Sequence, residues 1–160
     1  PSPAGRPTPE SRRRWGTGEA RIVSVSLVDA HGTQRSVFHV GETFIVRMHY
    51  QAAKRVDQPV FGLAIHRIDG VHVCGPNTDF SSLDIPSIDG EGDVSYCINR
   101  LPLMEGTYQV SVAVHNRTDT AMYDYHDRLY TFKVRQVERG EQYGLATMRG
   151  KWEWNSHQQR

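Results

Sequence analysis

Residues 101–116 read LPLMEGTYQVSVAVHN, and from Thr107 to His115 the residues alternate without a break. Tyr108, Val110, Val112 and Val114 fall on one side, and Gln109, Ser111, Ala113 and His115 on the other. Successive side chains of a strand point to opposite faces, so a period of two predicts a strand with one buried face. Gly106 places a turn residue just before it.

The same period recurs to either side. Val60 to Ile68 sets Phe61, Leu63 and Ile65 inward. Asp69 and Gly70 then form a hairpin dipeptide, and Val71 to Cys74 returns. Thr43 to Tyr50 sets Phe44, Val46, Met48 and Tyr50 inward, and Arg21 to Asp29 does so with Val23, Val25 and Leu27. Asp93 to Ile98 carries Val94, Tyr96 and Ile98, while Arg128 to Val134 carries Tyr130, Phe132 and Val134. Seven short strands, each with one apolar face, predict an all-β fold of two packed antiparallel sheets. No helical run of three turns is present; a short helical segment fits only at residues 120–123.

Composition agrees. The chain has 160 residues, 38% hydrophobic, with 14 Gly and 8 Pro falling mostly between the apolar runs. One domain with a real core is expected. Lys and Arg number 19 against 18 Asp and Glu, a net charge of +1, so nothing draws the domain to nucleic acid or anionic lipid. Arg12, Arg13 and Arg14 read as part of a solvated tail. No apolar run is long enough to cross a membrane and no signal sequence is visible. The start at Pro1 suggests a piece of a longer chain.

Three divisions follow: a Pro/Arg-rich linker over 1–16, a β-sandwich over 17–137, and a hinge with a terminal strand over 138–160. The last division holds Leu145, Met148, Trp152 and Trp154 behind the polar stretch VERGEQ, residues 137–142. These side chains need a partner surface, either this sandwich or that of a second copy. A terminal strand behind a polar hinge permits exchange between protomers. The two cysteines, Cys74 and Cys97, read as buried free thiols, with an inter-strand disulfide as the alternative.

Catalytic patterns are lacking. There is no G-x-S-x-G, no H-E-x-x-H and no phosphate loop of the form G-x-x-x-x-G-K-S/T. Asp124 and His126 share a face if extended and, with His115, offer candidate metal ligands. A polar loop before the last core strand is the simpler reading of residues 123–127. No carboxylate pair stands out, and no metal or cofactor is implied. Sugar binding asks for less: polar side chains for hydroxyls beside small residues that leave room for a ring. Gly62, Ala64 and His66 face out from one strand, and Gln109, Ser111, Ala113 and His115 from another. Arg47 and His49 offer similar chemistry on a third strand. The alternatives are an ordinary solvated face or a face covered by the tail.

Several stretches together resemble the C-terminal domain of Wzt-type proteins, the nucleotide-binding subunits of polysaccharide ABC exporters. They are RRRWGTGEARI at 12–22, HVGETFIVRMHYQA at 39–52, PVFGLAIHRIDGVHVCGPNT at 59–78, LPLMEGTYQVSVAV at 101–114, YDYHDRLYTFKV at 123–134 and GLATMRGKWEW at 144–154. The resemblance runs from Trp15 to Trp154. It departs at Cys74, where an aromatic or small apolar residue is expected.

The resemblance implies an immunoglobulin-like sandwich that forms a homodimer by exchange of its C-terminal strand. It implies a non-catalytic module that recognises the non-reducing end of a lipid-linked O-antigen-type polysaccharide. Its partners would be the transporter's nucleotide-binding and membrane subunits, at the cytoplasmic side of the inner membrane, and the remainder of the longer chain would be an ATPase. A polysaccharide-modifying enzyme on a β-sandwich, or a purely structural dimerisation module, are the competing readings.

Overall fold

The structure is a computed structural model and describes residues 9–156. After a 3-10 turn at Ser11–Arg13 come nine strands: β1 Arg14–Trp15, β2 Arg21–Val28, β3 Val37–His39, β4 Phe44–Asp57, β5 Pro59–Arg67, β6 His72–Cys74, β7 Ser87–Ile98, β8 Gly106–Asn116 and β9 Met122–Arg135. One sheet runs β1-β9-β8-β5-β6, with β3 also pairing β9; the other runs β2-β4-β7. All pairings are antiparallel except β3 with β9. This is an immunoglobulin-like sandwich.

The alternation at Thr107–His115 decides the packing. Tyr108, Val110, Val112 and Val114 are all buried, and they face Phe44, Val46 and Met48 of the other sheet within one core. Phe38, Phe44 and Phe132 form an aromatic cluster, with Phe38 and Phe44 edge to face at 4.8 Å. The Tyr108 hydroxyl reaches back to donate to the Met104 carbonyl at 2.6 Å. That bond fixes the turn into β8, as the tyrosine corner does in other immunoglobulin-like sandwiches, and burial pushes the phenol's pKa up.

Several expectations need correction. Val23 is exposed, and Ile22 takes its place in the core. The β2–β4 register shifts between Ile22 and Ser24, so one extra residue bulges out there. Ile22 and Leu27 are five apart, yet the bulge brings both to the same face. Residues 120–123 are not helical: a turn leads into β9 at Met122. Nor is the stretch 123–127 a loop, because β9 already runs through it with Asp124 and His126 buried. Arg14 and Trp15, assigned above to the linker, are the first strand; residues 1–8 of that segment lie outside the described residues. Cys74 and Cys97 are free thiols, but neither is fully buried: Cys74 is half-buried and Cys97 is exposed.

Asp124 is the hub that fastens the N-terminal segment to the sandwich. Its carboxylate accepts from the Ile22 amide at 2.8 Å and from Arg14 at 2.9 and 3.2 Å, and it meets His126 Nε2 at 3.1 Å. His126 Nδ1 in turn lies 2.6 Å from the Tyr130 hydroxyl, whose pKa burial pushes up to about 12. Burial works to raise the Asp124 pKa, but the bonds from His126, Arg14 and Ile22 outweigh it and hold the carboxyl below its ordinary value. Arg13 adds bonds to the carbonyls of Asp127 and Arg128. Gly16 is required because a Cβ there would sit 2.2 Å from the Tyr123 carbonyl oxygen, and its φ is +147°.

The tail only partly docks. Met104 N–H donates to Leu145 O at 2.9 Å and Thr147 N–H to Pro102 O at 2.8 Å, and Leu145 packs against the core. Met148, Trp152 and Trp154 are exposed on the single chain, so this chain's own sandwich does not bury them.

Because the folded-state pKa of Asp124 is depressed, its contribution to stability is present above the ordinary carboxylate pKa and is lost as pH falls through the folded value. Asp124→Asn should therefore lower the urea midpoint at neutral pH. Breaking a buried pair costs roughly 3–5 kcal/mol, and the lower end applies because Arg14 keeps contact with water. The gap from wild type should narrow below about pH 4. An equal gap at both pH values in parallel urea titrations would show that the carboxylate charge is not what holds the segment.

Candidate functional site

The outer face of the larger sheet is built from residues that the core alternation turns away. The β5–β8 register sets Gly62 against Ala113, Ala64 against Ser111, and His66 against Gln109. Ala113 is in turn opposite Tyr125 of β9, and Tyr125 is opposite Trp15 of β1. On the other flank, Gly62 bridges to Asn77. One row of residues thus crosses the sheet, from a Trp-Tyr pair over two small residues to an asparagine.

Small residues in the middle of that row make a recess of about 210 Å³. Its floor is Gly62, Ala64, Ser111 and Ala113; Tyr125 and Met122 form one wall, Pro76 and Asn77 the other, and His115 and Asp119 the rim. The Trp15 ring stacks on Tyr125 with centroids 4.3 Å apart and planes 24° from parallel. The Asn77 wall is held close because Leu63 N–H donates to Pro76 O at 3.0 Å and Thr78 N–H to Phe61 O at 2.9 Å. A Cβ on Gly62 would come within 3.3 Å of the Asn77 Cβ, so this position must stay small for the wall to pack.

The expected site residues divide into three groups. Gly62, Ala64, Ser111, Ala113 and His115 come together in the recess. The Ser111 hydroxyl is already engaged, accepting from the Arg128 N–H at 2.8 Å, so its role is to hold the β9 bulge. His66 and Gln109 lie farther along the same face and do not line the recess. His66 stacks on His72 at 4.7 Å; burial first, then the charges of Arg128 and His72, lower its pKa and favour the neutral ring. Arg47 and His49 lie on β4, in the opposite sheet, where His49 Nδ1 meets Asp93 at 3.0 Å. They cannot join this site, because the core separates the two outer faces.

Tyr125, Met122, Asp119 and Asn77 line the recess beyond the residues expected there, and Trp15 stands behind Tyr125. The signal for Tyr125 was the alternation of residues 123–126, where the buried positions, Asp124 and His126, are polar and the positions between them and before them, Tyr125 and Tyr123, are aromatic. That inversion reads as a loop unless the Arg14–Asp124 pair is known. None of the described tail residues lines the recess.

A second hollow of about 280 Å³ adjoins the Asn77 wall, lined by Gln58, Thr78, Asp79, Asp84 and Arg117 among others. Arg117 Nε lies 3.7 Å from Asp79 there. Among the described residues no cluster of three His, Cys, Asp or Glu is placed to hold a metal, and both ring nitrogens of His126 are engaged by Asp124 and Tyr130. No helix among them is long and apolar enough to cross a membrane.

Comparison with solved structures finds strong similarity to a crystal structure of the C-terminal domain of Wzt. It has a TM-score of 0.76 at 18% identity, over 89% of this chain and 87% of that one. A Pseudomonas fluorescens alkylpurine DNA glycosylase, AlkC, bound to abasic-site DNA, aligns at 0.46 with 12% identity, over 74% of this chain and 31% of its own. A Parabacteroides merdae β-glucuronidase aligns at 0.45 with 12% identity, over 75% of this chain and 14% of its own. No curated protein sequence matches. The family model for the Wzt C-terminal domain matches residues 11–148, from the 3-10 turn before β1 to the docked part of the tail, and the chain belongs to that family.

Proposed function

We propose that this domain is a non-catalytic carbohydrate-binding module that reads the non-reducing terminus of a lipid-linked O-antigen-type polysaccharide for export by an ABC transporter. The observation that carries the reading is the recess between Tyr125 and Asn77 with its floor of Gly62, Ala64 and Ala113. A flat floor of that size suits a single ring. Tyr125 offers an aromatic wall to the ring's apolar C–H face, and Asn77, His115 and Asp119 offer hydrogen-bonding groups to its hydroxyls. Membership of the Wzt C-terminal domain family supports the same reading. In this role the domain works beside the exporter's nucleotide-binding and membrane subunits, at the cytoplasmic face of the inner membrane.

The domain acts as a homodimer in this proposal. Met148, Trp152 and Trp154 project from the single chain, and the proposed dimer places a second copy's sandwich over them. Each large apolar side chain buried contributes about 1.5–3 kcal/mol, so a few suffice to hold two copies together.

Two experiments test these readings. An array of bacterial O-polysaccharide fragments, probed with residues 1–160, should yield hits that are bound and recovered intact. Filling the floor with Ala64→Leu or Ala113→Leu should abolish binding to the best hit in calorimetry, with circular dichroism unchanged. Tyr125→Ala should weaken it about tenfold or more, from the lost apolar contact. Cleavage of the hit, or full affinity in both filled variants, would refute the proposal. In sedimentation velocity the intact chain should run as a dimer, and a chain ending at Glu138 as monomer or aggregate. A well-folded dimer from the truncated chain would refute exchange through the tail.

A further inference from the structure

We propose that Trp15 is a positioning residue for the recess, and that β1 docking and recess occupancy are therefore coupled. This rests on the reading of the recess as the glycan site. Tyr125 stands between the recess and Trp15: it lines the one and stacks on the other. Trp15 therefore does not touch what sits in the recess; it sets the angle of the ring that does.

The strand that carries Trp15 is short. β1 has two residues, paired with Tyr125 and His126 on the edge of β9 away from β8, and the pairing continues in the bonds from Thr17 N–H to Met122 O at 3.0 Å and from Gly18 N–H to Tyr123 O at 2.9 Å. So short a pairing is marginal by itself and needs side chains to reinforce it. Arg14 faces inward to Asp124, and Trp15 faces outward to Tyr125. Half of Trp15 remains exposed, and its ring makes its aromatic contact with Tyr125.

The coupling is reciprocal. A ring seated in the recess holds Tyr125 upright and so favours the docked strand. A docked strand holds Tyr125 upright and so favours the seated ring. Loss of the Arg14–Asp124 clasp loosens the wall even though neither residue lines the recess.

Two sets of measurements on the 1–160 chain decide the matter. In the ligand-free protein, Trp15→Ala and Arg14→Gln should both weaken the nuclear Overhauser signals between the Tyr125 ring and the Ala113 methyl, its register partner on the floor. With the best-binding array oligosaccharide as probe, Trp15→Ala should weaken binding about fivefold or more, and Trp15→Phe should restore it. The probe should also slow hydrogen exchange in the peptide spanning residues 11–18 of the wild type. Tyr125 signals that ignore both changes at β1 would overturn the proposal. So would full affinity in Trp15→Ala while Ala64→Leu abolishes binding, a pattern that leaves the glycan site itself intact. If no array oligosaccharide binds, the glycan reading fails, and the Tyr125 signals alone decide whether β1 sets the wall.

Discussion

The antiparallel pairing of β5 with β8 sets both sides of the larger sheet at once. Its register brings Phe61, Leu63 and Ile65 opposite Val114, Val112 and Val110, and all six are buried. Since side chains alternate, the same register turns Gly62, Ala64, Ser111 and Ala113 to the other face. A slip of one residue would exchange core for recess, which is why the apolar pattern specifies it so firmly. The core and the candidate site are two readings of one pairing.

The second dependence is electrostatic. Asp124 occupies an inward position that an apolar residue would ordinarily fill, and it is made tolerable by Arg14, His126 and the Ile22 amide. Those partners come from β1, β9 and β2, so one carboxylate ties the chain's first strand to both sheets. The arrangement leaves Trp15 and Tyr125 side by side on the outer face. A buried polar network here fixes the position of an exposed aromatic pair.

Much of the fold was legible because its strongest signals are local. The alternations at β5 and β8, the Asp69-Gly70 turn and the neighbourhood of β5 and β8 needed no knowledge of distant contacts. The recess floor and His115 followed from parity alone. The rest depended on long-range partners. Val23 could not be seen to bulge without the register of β4, and Asp124 and His126 could not be read as inward-facing without Arg14. Asn77 reaches the recess only because residues 75–78 fold back along β5. Arg47 and His49 were grouped with the site because outward orientation is legible in a sequence, while the identity of the sheet is not.

The central claim is that a sugar ring lies on the floor formed by Gly62, Ala64 and Ala113. The most direct measurement is an isotope-filtered nuclear Overhauser spectrum of the labelled domain with an unlabelled oligosaccharide from the array. Contacts from the Ala64 and Ala113 methyls and the Tyr125 ring to protons of a single terminal sugar are the expected result. Contacts confined to Arg47 and His49 on the opposite sheet, or to the hollow around Asp79 and Arg117, would contradict it.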